Sequence, residues 1–160
     1  MILAHVPSPA IELSSAKLPA RPATHFSWEE VQCKHCRKLP HVSVTQSLAF
    51  RALCVLLDTW REETGQPVRI TSWYRCPMHP IELAKPGTHL HPHNTGLAVD
   101  VAVPRTLMPD LLSLASRYME TLRFDIGLGL NLNEPTTYLH IDIARENPSF
   151  DVCRPALWTY

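Results

Sequence analysis

The sequence predicts one α+β domain, in which helices pack on one side of a small, mostly antiparallel sheet. Three observations support this class. The chain has 160 residues, 45% of them hydrophobic, which suffices for one core and not for two large ones. Two stretches have the spacing of amphipathic helices, and four shorter stretches have the pattern of strands.

The N-terminal segment, residues 1–24, contains four prolines and no sustained periodicity. Proline lacks the backbone N–H that helices and central strands require, so we predict an extended arm here. The folded domain is accordingly predicted to comprise residues 25–160.

Two helices are predicted. The first begins at a capping box formed by Ser43 and Gln46 and stops at Gly65. Its inward residues are predicted to be Leu48, Ala49, Ala52, Leu53, Val55, Leu56 and Trp60, opposite Ser47, Arg51, Asp58 and Glu62. The second helix covers residues 108–122, with Met108, Leu111, Leu112, Ala115, Met119 and Leu122 inward.

Four strands are predicted, at residues 68–72, 97–103, 124–130 and 138–143. Side chains alternate between the two faces of a strand, so the second strand presents large apolar residues on one face and small residues with Asp100 on the other. In the last strand, Leu139, Ile141 and Ile143 point to the core, while Tyr138, His140 and Asp142 share the opposite face.

The site with the clearest chemistry combines His93 in a loop, Asp100 in the following strand and His140 in a distant strand. Gly96 permits a tight entry into the strand. Two imidazoles and a carboxylate suit zinc, and three protein ligands leave a fourth position for water, as in catalytic zinc sites. By spacing alone, surface histidines and a structural aspartate remain an alternative.

Four ordered motifs extend across most of the chain: Phe-Ser-Trp-Glu-Glu at 26–30 with Cys33 nearby, Ile-Thr-Ser-Trp-Tyr-Arg at 70–75, His-x-x-Gly-x-Ala-x-Asp at 93–100, and Tyr-Leu-His-Ile-Asp at 138–142. With these motifs the chain resembles the zinc D-Ala-D-Ala carboxypeptidase family, which includes phage L-alanyl-D-glutamate endopeptidases that act as endolysins. The resemblance implies the fold shared by these peptidases and hedgehog domains.

The resemblance also implies roles for four residues. His93, Asp100 and His140 would bind the catalytic zinc, and Arg75 would hold a carboxylate or carbonyl oxygen of the substrate. The implied substrate is the stem peptide of bacterial peptidoglycan, cut by an endopeptidase or trimmed by a D,D-carboxypeptidase. The implied chemistry is attack by a water molecule that zinc activates.

The sequence departs from the family pattern at two positions. His91 replaces a serine that relatives often carry, so His89 or His91 could compete as a ligand. Thr137 occupies the position where many relatives place an acidic residue or a histidine as general base.

The general base is therefore predicted elsewhere. Asp142 is the first choice because it shares a strand face with His140. It could equally orient the His140 imidazole. Glu134 is the reserve candidate.

The five cysteines suggest a second site. Cys33 and Cys36 are separated by two residues, as are Cys76 and His79, and together they could form a closed Cys₃His structural zinc site. A disulfide involving Cys76, or burial of the thiols, is the alternative. Cys54 and Cys153 are predicted to be core or surface thiols.

Charge and hydropathy limit the partners. Lys plus Arg equals Asp plus Glu at 15 each, which disfavours nucleic acid and anionic membranes. No apolar run approaches the ~20 residues needed to span a bilayer. The first residues lack the pattern of an export signal, so we expect the protein to stay in the host bacterial cytoplasm until release to the cell wall or periplasm. We also expect a monomer. The alternative function is a non-catalytic, zinc-stabilised module that binds the wall or belongs to the virion.

Overall fold

The computed structural model describes residues 20–42, 44–85, 91–122, 125–132, 137–143 and 156–159. Four α-helices and five strands are present in this part of the chain, together with two short 3-10 turns at Pro92–Thr95 and Arg105–Leu107. The helices are α1 (Trp28–Val31), α2 (Val44–Thr64), α3 (Pro80–Leu83) and α4 (Met108–Leu122). The strands are β1 (Arg69–Ser72), β2 (Ala98–Ala102), β3 (Gly127–Asn131), β4 (Tyr138–Asp142) and β5 (Ala156–Thr159).

The five strands form one sheet in the order β1-β2-β4-β3-β5. The pairs β1–β2, β2–β4 and β3–β4 are antiparallel, whereas β3 and β5 are parallel. The predicted α+β class with a mostly antiparallel sheet is therefore confirmed. The fifth strand was not predicted, because its four residues, Ala-Leu-Trp-Thr, show no clear alternation and its partner β3 is distant in sequence.

The two faces of the sheet have different contents. The face that meets the helices carries buried aliphatic residues of β2, β3 and β4, namely Val99, Val101, Leu128, Leu130, Leu139 and Ile141. Helices α2 and α4 cover it with Leu53, Leu57, Trp60, Leu111 and Ala115. Burial of these apolar side chains is the main driving force for the fold. The opposite face of the sheet carries polar residues of β2 and β4, namely Asp100, Tyr138, His140 and Asp142.

The apolar stripe of α2 is rotated relative to the predicted one, because Phe50 and Leu57 are buried on one edge in place of two residues on the other. Leu48 and Val55 were expected to point inward, but they are 66% and 49% exposed. The buried stripe is centred on Ala49, Leu53 and Trp60. At about 100° per residue, Leu48 and Val55 lie roughly 100° or more from its centre, which is too far to reach the core. In α4, Leu114 is buried although it was not predicted to be.

Several predicted features lie outside the described residues: most of the N-terminal arm, Ser43 of the capping box, and Phe124 at the start of the third predicted strand. The side chain of Leu122 is likewise not described. Within the described residues, no helix combines the length and apolar character that crossing a bilayer demands.

Candidate metal centre

The loop before β2 turns His93 towards the sheet. Residues Pro92–Thr95 form a 3-10 turn that ends at Gly96, whose φ of 76° lies in the left-handed region that glycine adopts most readily. A Cβ atom at Gly96 would lie 2.6 Å from Cβ of Pro40, so the close approach also requires glycine. The turn leaves His93 buried beside β2.

The register of the sheet brings Asp100 and His140 together. These residues are direct partners in the antiparallel β2–β4 pair. Directly opposed residues place their side chains on the same face, about 5 Å apart at Cβ. Both side chains are buried and lie on the face away from α2 and α4. The predicted alternation of both strands is therefore confirmed.

The three side chains converge on one point. His93 Nε2 lies 3.2 Å from Asp100 Oδ1 and 3.2 Å from His140 Nδ1, and His140 Nδ1 lies 2.8 Å from the same Asp100 oxygen. One ligand atom from each residue lies within 4.8 Å of the others. The structure thus brings together the three residues named as zinc ligands from the sequence.

The outer partners of the imidazoles determine which ring nitrogens face inward with a lone pair. His93 Nδ1 lies 2.6 Å from the Trp73 carbonyl oxygen, which can only accept, so Nδ1 donates. His140 Nε2 lies 3.2 Å from Asp142 Oδ2 and donates to it. In their neutral forms, both rings therefore direct a lone pair at Asp100 Oδ1. Three lone pairs at this separation repel one another unless a cation or a proton lies between them.

The same contacts shift the pKa values of all three groups. Burial disfavours ionisation of Asp100, but the imidazoles of His93 and His140 outweigh it and hold the pKa of the carboxyl well below its usual range. Burial lowers the pKa of His93. Burial acts in the same direction on His140, yet its bonds to Asp100 and Asp142 prevail and raise its pKa.

Arg75 lies at the wall of the site and is only 8% exposed. Its Nη2 donates to Asp100 Oδ2, its Nε to Ser72 Oγ at 2.8 Å and its Nη1 to Glu82 Oε1 at 3.4 Å. Lys85 Nζ lies 2.7 Å from the same Glu82 oxygen. Arg75 therefore holds the second oxygen of Asp100, a contact that the sequence motifs did not indicate.

The structure describes the surroundings of Asp142, the first candidate for general base, but not those of Glu134, the reserve candidate. Asp142 has 0% exposure and pairs with His140 on the side of the ring away from Asp100. The Thr137 hydroxyl donates to the Val103 carbonyl oxygen at 3.3 Å. Glu134 lies outside the described residues, as does His89 among the alternative ligands. His91 precedes the 3-10 turn and is not part of the converging group.

The unpredicted strand β5 adds Trp158 to the site. The Trp158 ring lies over Gly129 of β3, where a Cβ atom would be 2.6 Å from the indole. Its centroid is 5.6 Å from that of His140. Gly129 is the direct neighbour of His140 in the β3–β4 pair, so the glycine makes room for the indole beside the imidazole.

A cleft of about 550 Å³ opens at the three converging residues. Its lining includes Arg75, Tyr138, Asp142, Trp158 and Lys85 in addition to the three. This volume lies within the range of about 300–1,000 Å³ usual for ligand pockets. The cleft combines the candidate metal centre with basic and aromatic side chains that can contact a peptide.

The cysteines form a separate group. The sulfur atoms of Cys33, Cys36 and Cys76 lie within 4.8 Å of one another, and all three are free thiols. His79, the predicted fourth ligand, is not in the group; its Nδ1 accepts from the Ile81 N–H at 3.2 Å and caps α3. Cys54 is a buried free thiol in α2, as predicted, and Cys153 lies outside the described residues.

Two histidines and an aspartate that direct lone pairs to one point in a cleft define a candidate metal centre of the hydrolytic type. The family model described as Peptidase M15 matches residues 24–142, about three quarters of the chain. The chain therefore belongs to the M15 peptidase family, a family of metallopeptidases, as its four motifs indicated. Searches of curated proteins and of solved structures found no match.

Proposed function

We propose that this protein is a zinc-dependent peptidase that hydrolyses peptide bonds in the stem peptides of bacterial peptidoglycan, and that it acts as a phage endolysin. The single observation that carries the proposal is the convergence of three lone pairs, from His93, Asp100 and His140, at the floor of a peptide-sized cleft. The substrate and the lytic role are supported by the resemblance of the motifs to phage wall peptidases.

The converging atoms fit a tetrahedral zinc ion. Ligand atoms about 2.0–2.1 Å from zinc at tetrahedral angles lie roughly 3.3 Å from one another. The observed separations of 2.8–3.2 Å are close to that value, so small side-chain movements suffice. A bound zinc ion would supply Lewis acidity, which activates water and polarises the peptide carbonyl group.

The protein residues have separate tasks in this proposal. Asp142 accepts from His140 Nε2, which keeps Nδ1 turned inward with its lone pair. Arg75 holds Asp100 Oδ2, which keeps Oδ1 directed at the imidazoles. Arg75 has five N–H donors, of which three are used by the contacts described above. Its remaining donors can bind a substrate carboxylate or carbonyl oxygen at the cleft wall.

Digestion of purified peptidoglycan tests the activity. The zinc-loaded protein is incubated with peptidoglycan, and the products are identified by mass spectrometry. New L-alanine carboxyl termini identify an endopeptidase, and free D-alanine identifies a carboxypeptidase. His93→Ala should abolish the products, whereas His41→Ala, which changes an exposed histidine, should not. Absence of products from the unmodified protein would overturn the proposal in favour of a wall-binding module.

The endolysin role has its own test. Bacteria that produce the protein internally should grow normally and should lyse when the inner membrane is permeabilised. Bacteria that produce His93→Ala should not lyse after the same treatment. Equal survival of both cultures would contradict a lytic role, even if the purified enzyme cuts peptidoglycan.

A further inference from the structure

The three-cysteine group joins two segments that are far apart in the sequence. Cys33 and Cys36 lie in the turn that follows α1, and Cys76 lies directly after Arg75. The Tyr74 N–H donates to the Val31 carbonyl oxygen at 3.2 Å, so the two segments also touch through their backbones. Two residues after this hydrogen bond in each segment come Cys33 and Cys76, and their sulfurs lie within 4.8 Å of each other and of the Cys36 sulfur.

The turn around the first two cysteines is closed by backbone hydrogen bonds and contains one left-handed residue. The Arg37 N–H donates to the Cys33 carbonyl oxygen at 2.8 Å, and the Cys33 N–H donates to the Lys38 carbonyl oxygen at 2.9 Å. Arg37 has a φ of 60°, and no other non-glycine residue in the described part of the chain has a positive φ. This conformation costs an arginine roughly 1–2 kcal/mol. In this turn the sulfurs of Cys33 and Cys36 lie within 4.8 Å of each other.

Backbone donors surround the sulfur of Cys33. The Cys76 N–H donates to it at 3.3 Å, and the amides of His35 and Cys36 also donate to it. Amide donors stabilise a thiolate more than a thiol. Thiolates are the form in which cysteine binds metal. Donors from both segments therefore favour the metal-binding form of this residue.

Simple burial does not account for the group. Cys36 is only half-buried, and the turn also carries the exposed basic residues Lys34, Arg37 and Lys38. Three thiolates with one divalent cation carry a net charge of −1, which nearby basic residues offset. Cys54 shows the contrasting case, a single buried thiol in α2 outside the group.

We propose that Cys33, Cys36 and Cys76 bind a second zinc ion, which has a structural role. Thiolates are the preferred ligands of structural zinc, and three sulfurs fill three corners of its tetrahedron. The fourth corner is open to another side chain or to water. The ion would fasten the turn after α1 to the loop that carries Arg75.

The position of the ion implies a positioning role for it. Arg75 directly precedes Cys76, and the Arg75 N–H donates to the His93 carbonyl oxygen at 3.1 Å. Asn94 Nδ2 donates to the Arg75 carbonyl oxygen at 2.8 Å. A zinc ion on Cys76 would therefore stiffen the loop against which the His93 turn rests. This part of the inference rests on the proposed function, whereas metal binding by the cysteines does not.

Metal content tests the proposal independently of catalysis. Protein purified without chelator should contain two zinc ions per chain, as measured by mass spectrometry of the metal. Cys36→Ser and His93→Ala should each contain one, because each removes a ligand of a different site. Cys54→Ala, the control that removes a thiol outside the group, should contain two. If Cys36→Ser loses one ion and His93→Ala loses none, the cysteine site stands and the first site fails.

Cobalt substitution provides a spectroscopic test. Cobalt(II) bound to thiolates has a charge-transfer absorption in the near ultraviolet, which nitrogen and oxygen ligands do not give. The band should be present in the cobalt-loaded protein, in His93→Ala and in Cys54→Ala, and it should be lost in Cys36→Ser. An equal band in Cys36→Ser would overturn the proposal. A disulfide between any two of the three cysteines in freshly purified protein would also overturn it.

Discussion

Each residue of the candidate metal centre is held by a partner on the side away from the other two. The Trp73 carbonyl oxygen holds His93, Arg75 holds Asp100, and Asp142 holds His140. Such outer partners fix the orientation of ligands and raise their basicity. The arrangement is therefore set before a metal arrives, which reduces the entropy lost on binding.

The role of Asp142 can be tested by comparing two substitutions. Asp142→Ala should weaken zinc binding by roughly 10–100-fold, because His140 loses the acceptor that orients it. Asp142→Asn keeps an oxygen that can accept from His140 Nε2, so its affinity for zinc should lie much closer to that of the unmodified protein. Isothermal titration calorimetry at neutral pH measures both affinities.

The kinetics of the same pair distinguish a positioning residue from a general base. With saturating zinc, a positioning role predicts that Asp142→Asn keeps most of its kcat. A fall in kcat of about 100-fold or more in zinc-saturated Asp142→Asn, with the loss of one limb of the pH profile, would instead assign the base to Asp142.

Glu82 should make stability depend on pH in a defined direction. Burial raises its pKa, but Lys85 and Arg75 outweigh burial and lower the pKa from 4.5. A lowered folded-state pKa stabilises the protein above the unfolded pKa, and this stabilisation is lost as the pH falls through the folded pKa. The free energy of unfolding should therefore decrease from about pH 5 to about pH 3, and less steeply in Glu82→Gln.

Urea unfolding of the metal-free protein at several pH values measures this effect. Glu63→Gln is the matched control, because Glu63 forms an exposed ion pair with Arg117. A Glu82→Gln variant with the same pH slope as the unmodified protein would show that Glu82 does not stabilise the fold through its charge.

The sequence predicted some of these residue-level features and not others. His93, Asp100 and His140 could be named because the motifs at 93–100 and 138–142 resemble those of the peptidase family, whereas spacing alone left a structural role open. The pairing of Arg75 with Asp100 could not be predicted from the sequence. The two residues are 25 positions apart and come into contact only when β1 and β2 pair across a bulge. Trp158 was missed because its contact with His140 depends on a parallel strand pair between distant segments.

At the level of elements, the tight turn at Gly96 sets the spacing between the His93 loop and β2. Gly96 has a positive φ and lies against Pro40, and the carbonyl oxygen of Gly96 accepts from Trp73 Nε1 at 2.9 Å. The same Trp73 provides the backbone oxygen that holds His93. Trp73 thus contacts both the turn that leads into β2, through its indole N–H, and the candidate ligand His93, through its carbonyl oxygen.

Replacement of two glycines by alanine should separate the conformational cost from the packing cost. Gly65 and Gly96 both have positive φ values, but a Cβ atom at Gly65 has no described atom within 4 Å. Gly65→Ala should cost about 1–2 kcal/mol of stability, the penalty for a left-handed alanine. Gly96→Ala should cost roughly 1–3 kcal/mol more, because its Cβ overlaps Pro40.

Chemical denaturation of both variants measures the difference. Gly96→Ala should also bind zinc at the His93 site more weakly, whereas Gly65→Ala should not. Equal losses of stability in the two variants would show that Pro40 moves aside without cost.

The helices and strands were predicted best where periodicity is long. The bounds of α4 match the prediction, and α2 was found within a residue at each end. The strands are one or two residues shorter than predicted, and β3 begins three residues later and ends one residue later than its predicted bounds. The short helices α1 and α3 contain only four residues each, too few for a periodic pattern.

At the level of the whole molecule, the candidate ligands come from three separate parts of the fold: the turn before β2, β2 itself and β4. A cation bound by all three connects segments that the unfolded chain leaves far apart. Binding of a metal by these three residues would therefore be coupled to folding, because the complete ligand set exists only in the folded state.

Zinc should raise the stability of the protein by an amount that its affinity determines. At a free concentration of about 1,000 times Kd, the expected gain is ~4 kcal/mol. The effect of the His93 site alone is measured in Cys36→Ser by urea unfolding with zinc and with chelator. Cys36→Ser combined with His140→Ala is the control and should gain much less. An equal gain in both proteins would mean that zinc stabilises the fold at another place.

In strands β2 and β4, core residues alternate with residues of the candidate metal centre. This alternation limits which insertions and deletions the two strands can tolerate during evolution. Substitutions can change one face at a time, since neighbouring positions serve different purposes. Insertion of a single residue within β2 would rotate every later side chain of the strand to the opposite face. Asp100 would then enter the apolar interior while a valine faced the cleft. Lineages descended from this sequence should therefore accumulate length changes in their loops and leave the spacing within these two strands intact.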